Sequence, residues 1–113
     1  MNVAEARELV IEHLRNRFPS DHLMIQDDHT IEFDDGWMFF YNSAEYVTTG
    51  DPSERLFGNA PIIVNKAGRL SLTGTRYRSA AFSEAYRALG PDRFDAGDWR
   101  DWIANRPHIA HKR

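Results

Sequence analysis

The hydrophobic pattern of the chain is densest at residues 37–41, where five apolar side chains follow one another without interruption. Successive side chains of a β-strand point to opposite faces of a sheet, so a strand of this composition carries bulk on both faces. The pattern therefore predicts a central strand that is covered on both sides. Around it we expect one α+β domain, with helices packed on an antiparallel sheet of four to five strands.

The first helix is predicted to run from residue 2 to residue 17. Its apolar residues recur at intervals of three and four, as on one face of a helix: Val3, Ala6, Val10, Leu14 and Phe18. Asn2 and Glu5 have the spacing of a capping box, in which each side chain accepts a backbone N–H of the other residue. Pro19 cannot continue a helix, so we expect the helix to end before it.

Short apolar stretches on either side of the central one predict the remaining strands. Residues 22–27 and 30–33 precede it, and residues 61–64 and 69–72 follow it as a second hairpin around a turn at 65–68. These stretches are separated by residues such as Asp, Gly, Asn and Pro, which favour turns.

The turn that leads into the central strand can have two lengths, which place the side chains differently. A three-residue loop that ends at Gly36 sets Phe33 opposite Trp37 and on the same face. A two-residue loop at Asp35 and Gly36 instead puts Phe33 on the face of Met38 and Phe40. We favour the three-residue loop, because its last position requires the left-handed conformation that glycine adopts readily.

The C-terminal third of the chain predicts two more helices. Ser79 is the expected N-cap of the first, which ends at Gly90. Asp95 is the expected cap of a short helix that carries Trp99, Trp102 and Ile103. We expect residues 1–105 to form the domain and residues 106–113 to form a loose basic tail.

A long connection, residues 43–60, joins the central strand to the second hairpin. We expect a short helical turn near Glu45 and another within residues 53–57, separated by Gly50 and Pro52. A connection of this length in a small domain is either functional or fixed by its own side chains. The expected anchors are its three large apolar residues, namely Tyr46, Leu56 and Phe57.

Composition narrows the class of protein. The chain has 113 residues and no cysteine, so disulfides and thiolate-bound metals are excluded. The N-terminal residues are charged and amphipathic and do not resemble a signal peptide. No apolar run approaches the roughly 18 residues of a membrane span. We therefore expect a cytoplasmic protein that does not associate with membranes.

The net charge of −3 conceals an asymmetry between the two parts of the chain. Residues 1–64 have twelve acidic and four basic residues, whereas residues 65–113 have five acidic and ten basic ones. Between Arg17 and Arg55 there is no lysine or arginine, but there are nine acids: Asp21, Asp27, Asp28, Glu32, Asp34, Asp35, Glu45, Asp51 and Glu54. Such a region repels nucleic acid and attracts basic partners, although it also has a plain explanation as a soluble surface.

The sequence gives only weak indications of catalytic or metal-binding groups. His108 and His111 have a spacing that suits metal ligands on a helix, but Pro107 disfavours a stable helix there. The Asp pairs at 27–28 and 34–35 fall in turns, where aspartate bonds its own backbone. No phosphate-binding glycine loop or serine nucleophile motif is present. We therefore predict no enzyme activity, no metal and no cofactor.

Several motifs together resemble the immunity protein 35 family, also called YrhB-like. They are the segment Gly-Trp-Met-Phe-Phe-Tyr at 36–41, Thr-Gly-Asp at 49–51, Gly-Asn-Ala-Pro at 58–61 and the strand Ile-Ile-Val at 62–64 with its following Lys-x-Gly turn. The resemblance covers about residues 3–89, and residues 92–113 extend beyond it. It implies a small protein that binds and neutralises a bacterial toxin, and it carries over no catalytic residue.

The resemblance divides the candidate residues into two groups. We expect the scaffold to depend on Gly36, Trp37, Phe39, Gly50, Gly58, Asn59 and Pro61. We expect a toxin with a basic surface to contact Asp27, Asp28, Asp34, Asp35, Glu45, Asp51 and Glu54. The alternative function is a small chaperone-like or regulatory protein that binds other proteins without catalysis. Neither the toxin nor the oligomeric state follows from the sequence.

Overall fold

Residues 1–110, the part of the chain described in the computed structural model, contain six α-helices and six β-strands. The helices are α1 (Val3–Arg17), α2 (Ala44–Thr49), α3 (Ser79–Leu89), α4 (Pro91–Asp95), α5 (Trp99–Ala104) and α6 (Pro107–Ala110). The strands are β1 (Leu23–Ile25), β2 (Ile31–Phe33), β3 (Gly36–Phe39), β4 (Tyr41–Ser43), β5 (Ile62–Asn65) and β6 (Leu70–Leu72). A four-stranded antiparallel sheet has the order β2-β3-β5-β6, and β1 pairs with β4 in a separate two-stranded sheet.

Strand β3 is central in the larger sheet, and all four of its residues are buried. Trp37 and Phe39 pack with Val10 of α1 on one face. Met38 packs with Phe82 of α3 on the other face. The predicted central strand with two covered faces is therefore confirmed, as is the α+β class with an N-terminal helix and C-terminal helices.

Helix α1 begins as its capping pattern predicted. The backbone N–H of Glu5 donates to Oδ1 of Asn2 at 2.8 Å, and the backbone N–H of Asn2 donates to Oε1 of Glu5 at 3.0 Å. Ala6, Val10 and Leu14 are buried against the sheet. The two cap bonds satisfy N–H groups that would otherwise have no partner at the helix start.

The hairpin of β2 and β3 has a different register from the one we favoured. Phe33 pairs with Gly36, so the loop is the two residues Asp34 and Asp35, and Phe33 packs on the face of Met38. The three-residue loop is wrong, and so is the two-residue loop at Asp35 and Gly36, although that alternative assigned Phe33 to the correct face. Gly36 is not left-handed. It is required because a Cβ there would lie 2.2 Å from the backbone oxygen of Val64 in β5.

The chain changes sheets at Phe40, between β3 and β4. Strand β4 pairs with β1, which is shorter than the predicted strand at 22–27. Leu23 and Ile25 share a face, as predicted, and pack into the cluster that contains α1. Strand β4 then leads into the long connection.

The C-terminal helices cover the second face of the sheet. Phe82 and Trp99 meet edge to face at a ring separation of 4.9 Å, and Phe94 is fully buried beside them. Ser79 is the first residue of α3 rather than its cap, since Arg78 precedes the helix. Asp95 is the last residue of α4 and caps nothing, because α5 begins four residues later.

Residues 107–110 form helix α6 rather than a loose tail. Ala110 is buried, and the backbone oxygen of Ile109 accepts a hydrogen bond of 2.7 Å from Nε of Arg78. His111, the second residue of the disfavoured histidine pair, lies outside the described residues. The contacts of α6 extend the ordered domain at least to residue 110.

Candidate partner-binding surface

The connection between β4 and β5, residues 44–61, contains two short helical elements. Oγ of Ser43 accepts the backbone N–H of Tyr46 at 3.1 Å and so caps α2, which ends at Gly50 with φ of 74°. A 3-10 turn follows at Pro52–Glu54, earlier than the turn predicted at residues 53–57, and Asp51 caps it. We call residues 44–61 the β4–β5 connection.

The β4–β5 connection is held mainly through its backbone. The buried side chain of Asn42 accepts the backbone N–H of Leu56 at 2.8 Å and donates to the backbone oxygen of Leu56 at 3.2 Å. Oγ of Ser43 donates to the oxygen of Glu54 at 2.6 Å, and the side-chain amide of Asn59 donates to the oxygen of Tyr41. These bonds satisfy polar groups that regular secondary structure leaves free.

The apolar side chains that we expected to anchor the connection do not all do so. Phe57 is 80% exposed and Leu56 is 43% exposed, whereas Tyr46 is half-buried. Apolar packing was the wrong expectation for Leu56 and Phe57, because Asn42 and Asn59 hold the backbone instead. The connection is therefore ordered while it presents two large apolar side chains to solvent.

Arg55 lies between two aromatic rings of the same segment. Its guanidinium carbon is 5.1 Å from the ring centre of Phe57 and 5.9 Å from that of Tyr46. Both distances are within the range of a cation–π contact. The arrangement restrains Arg55 and Phe57 relative to each other on the exposed side of the connection.

A groove of about 400 Å³ runs behind this segment. Its walls come from the end of β1, the junction of β3 and β4, and the β4–β5 connection. His29 and Phe40 meet edge to face there at 6.4 Å, and Asn42, Tyr46 and Phe57 also line the groove. Phe57 thus borders the groove.

The structure does not bring the seven candidate acids onto one face. Asp27 precedes β2 and Asp34 follows it, so these two residues lie at opposite ends of the strand. Asp27 accepts Nε of Arg7 on α1 at 2.7 Å, and Asp34 pairs with Arg87 on α3 at 2.7 Å. Since α1 and α3 cover opposite faces of the sheet, the two aspartates belong to different surfaces.

The remaining candidate acids differ in exposure. Asp35 is half-buried, and its Oδ2 has no hydrogen-bond partner among residues 1–110. Asp28, Glu45, Asp51 and Glu54 are exposed, and none of them forms an ion pair within the described part of the chain. Three of these four acids belong to the β4–β5 connection, whose one basic residue is Arg55, so this segment carries a net charge of 1 − 3 = −2.

Asp51 has a further local role in shaping the connection. Its Oδ1 accepts hydrogen bonds from the backbone N–H of Ser53 at 3.0 Å and from the Ser53 hydroxyl at 2.8 Å. The backbone hydrogen bond from Ser53, with the hydroxyl bond second, lowers the pKa of the Asp51 carboxyl. The carboxylate is therefore charged and fixed in direction at neutral pH.

The motif residues that we assigned to the scaffold lie in the buried strand β3, in turns with positive φ, or next to a strand. Trp37 and Phe39 are buried in β3 beside Gly36, whose close contact with β5 is described above. Gly50 and Gly58 both have positive φ, at 74° and 82°, a conformation that other residues rarely adopt. Pro61 directly precedes β5, and Asn59 bonds the backbone of β4. That they shape the scaffold and do not contact the toxin stays a prediction.

The described residues contain neither a metal-binding cluster nor a helix that could span a membrane. Within residues 1–110, no group of three or more histidine, aspartate or glutamate side chains is arranged to hold a metal ion. None of the helices in that range is both long and apolar enough to cross a bilayer. The surface around the β4–β5 connection is therefore the candidate site that the described residues support best.

Comparison with known proteins adds two findings. A family model described as Immunity protein 35 matches residues 4–89. The uncharacterized protein YrhB of Escherichia coli (strain K12) is 43% identical over 44 residues, which are 38% of this chain and 47% of YrhB. The chain thus matches about half the length of that relative. No solved structure matches the chain.

The family match stops where α3 ends. Helices α4 to α6 lie beyond it, but Phe94, Trp99 and Ile103 of these helices are buried with Phe82 of α3. The segment after residue 89 therefore completes the hydrophobic core of this chain.

Proposed function

We propose, because the chain belongs to the immunity protein 35 family, that it binds a cognate bacterial toxin and neutralises it. The match over residues 4–89 is the observation that carries the proposal. The chain would act by binding and not by catalysis, and it would block the toxin's active site or its access to a target. A toxin made in the same cell would meet the chain in the cytoplasm, where we expect it to act.

The charge distribution supports a partner with a basic surface. Glu45, Asp51 and Glu54 are exposed on one segment without ion pairs among residues 1–110, and with Arg55 they give the segment a net charge of 1 − 3 = −2. Charges of this kind speed the encounter with an oppositely charged partner and oppose partners of like charge. We therefore expect the toxin to present lysine or arginine side chains to this chain, as toxins that act on nucleic acids or nucleotides do in their substrate clefts.

The proposal predicts that a toxin-like domain is encoded beside the gene for this chain, and this domain is the partner used in the test. The two purified proteins are mixed, and the mass of the complex is measured by light scattering after size-exclusion chromatography. We expect a one-to-one or other fixed stoichiometry and loss of the toxin's activity in the complex. Failure of the two proteins to associate at micromolar concentration would contradict the proposal.

A chaperone-like protein is the second candidate, and the exposure of Leu56 and Phe57 is the observation that favours it. Exposed apolar side chains can bind unfolded segments of many proteins. The two functions differ in selectivity. Binding of this chain to several unrelated reduced, unfolded proteins, with suppression of their aggregation, would support the chaperone. Binding restricted to the one folded toxin domain supports immunity.

A further inference from the structure

The exposed ring of Phe57 is held in place by the backbone on both sides of it. Asn42 bonds both backbone groups of the preceding residue, Leu56. Gly58 takes a left-handed conformation, and the side chain of Asn59 bonds the oxygen of Tyr41. Of the large hydrophobic residues in the described chain, Phe57 is the most exposed, at 80%. A flexible loop could turn such a ring inward, whereas this one is fixed outward.

The neighbours of Phe57 have the chemistry of a protein–protein contact. Arg55 stacks against its ring at 5.1 Å. Aromatic and arginine side chains are enriched at the centre of interfaces, where a few residues contribute most of the binding energy. Because the connection is already ordered, binding costs little conformational entropy.

The charges of the β4–β5 connection favour one kind of partner. Glu45, Asp51 and Glu54 belong to the same connection and are not compensated by ion pairs within residues 1–110. If the partner's apolar pocket were bordered by acidic residues, they would repel these carboxylates. A pocket with basic residues around it would complement them.

We propose that Phe57 is the central anchor of the toxin complex and inserts into an apolar pocket of the toxin that is bordered by basic residues. This inference rests on the proposed function and adds to it the contacting segment and the chemistry of the partner's site. Arg55 contacts the ring at 5.1 Å, and the same connection supplies the carboxylates of Glu45, Asp51 and Glu54.

The test compares two substitutions that each shorten an exposed apolar side chain. Phe57→Ala removes the anchor, and Val3→Ala is the matched control. Val3 is 45% exposed at the start of α1. The nearby Met1 side chain lies by Gly68, in the turn at the end of β5 away from the β4–β5 connection. Circular dichroism and thermal unfolding first establish that both variants fold like the wild type, as expected for exposed side chains.

Affinity for the purified toxin domain encoded beside this chain is then measured by isothermal titration calorimetry. We expect Phe57→Ala to raise the dissociation constant at least about 30-fold, as for a central interface residue. Val3→Ala should change it less than about threefold. Equal affinities of wild type and Phe57→Ala would overturn this inference and leave the proposed function intact. If the wild type itself does not bind, both fail.

A second copy of this chain is the other possible occupant of the surface. Sedimentation of the wild type and Phe57→Ala without toxin separates that case. We expect both to behave alike. A wild-type dimer that Phe57→Ala abolishes would overturn the inference in favour of self-association.

Discussion

Asn42 holds Leu56 by both of its backbone groups, with bonds of 2.8 and 3.2 Å, across fourteen residues of sequence. Asn42 is only 4% exposed in β4, and its side-chain oxygen also accepts the N–H of Ser43 at 2.8 Å. One amide thus substitutes for a strand partner at the point where the β4–β5 connection returns to the sheet. The orientation of Phe57, the next residue, depends on this contact.

Asn42→Ala is therefore expected to destabilise the protein and to loosen the connection. It removes three hydrogen bonds and leaves a buried gap, and we expect a loss of about 1–3 kcal/mol in the free energy of unfolding. Urea unfolding measures the loss, and hydrogen exchange at the Leu56 amide reports local opening. Asn16→Ala, on the exposed side of α1, is the control and should change stability by less than about 0.5 kcal/mol. Unchanged exchange at Leu56 would show that other contacts hold the connection.

Trp37→Ala is expected to cost about 3–5 kcal/mol, as a large-to-small change in a core does. Trp37 is 4% exposed and packs between β3 and α1, with Nζ of Lys66 4.2 Å from its ring centre. The free energy of unfolding in urea measures the effect, and Trp37→Phe, which keeps most of the apolar volume, should cost clearly less. A loss below about 1 kcal/mol for Trp37→Ala would mean that the core does not depend on this ring.

The central strand was predictable because five consecutive apolar residues require two buried faces. Because both faces of this strand are apolar, the register of the β2–β3 hairpin was not predictable. A shift of one residue moves Phe33 from the face of Trp37 to the face of Met38, and both faces are apolar. The hydrophobic pattern therefore cannot select between the two registers, and the reason for Gly36, contact with the backbone of β5, is not visible in sequence.

Gly36 is needed for a close backbone contact and Gly50 for a positive φ, and one substitution at each position tests these two requirements. At Gly36, the Cβ of Gly36→Ala would lie 2.2 Å from the oxygen of Val64, and we expect a loss at or above the upper end of the roughly 1–3 kcal/mol seen for overpacked cores. At Gly50 the space is open but φ is 74°, and Gly50→Asn should cost less than about 1 kcal/mol because asparagine tolerates that conformation. Thermal and urea unfolding measure both. Similar losses in the two variants would contradict the close contact at Gly36.

The candidate surface was predictable only in part. The excess of acids between Arg17 and Arg55 is evident from the sequence, but their partners are distant in the chain. Asp27 is neutralised by a residue twenty positions earlier, and Asp34 by one on α3. The exposure of Phe57 was also hidden, because an apolar residue in a long loop is usually expected to pack inward, and the bonds that hold it outward come from polar side chains.

Two pairs of charge-removing substitutions test which acids attract the partner. Glu45→Gln with Glu54→Gln alters the β4–β5 connection, and Asp27→Asn with Asp34→Asn removes the same net charge from residues that are already ion-paired. We expect the first pair to slow association with the toxin domain about tenfold at low salt and to weaken its salt dependence. The second pair should have a smaller effect. Stopped-flow association at several salt concentrations measures both, and equal slowing would assign the effect to net charge alone.

Protection of living cells tests the toxin-neutralising role most directly. The toxin domain encoded beside this chain is expressed from an inducible promoter in a bacterium that lacks the chain, and viable cells are counted with and without the chain at matched protein levels. We predict survival with the wild type and with Val3→Ala, and reduced survival with Phe57→Ala. Cell death that the wild-type chain does not prevent would contradict the account.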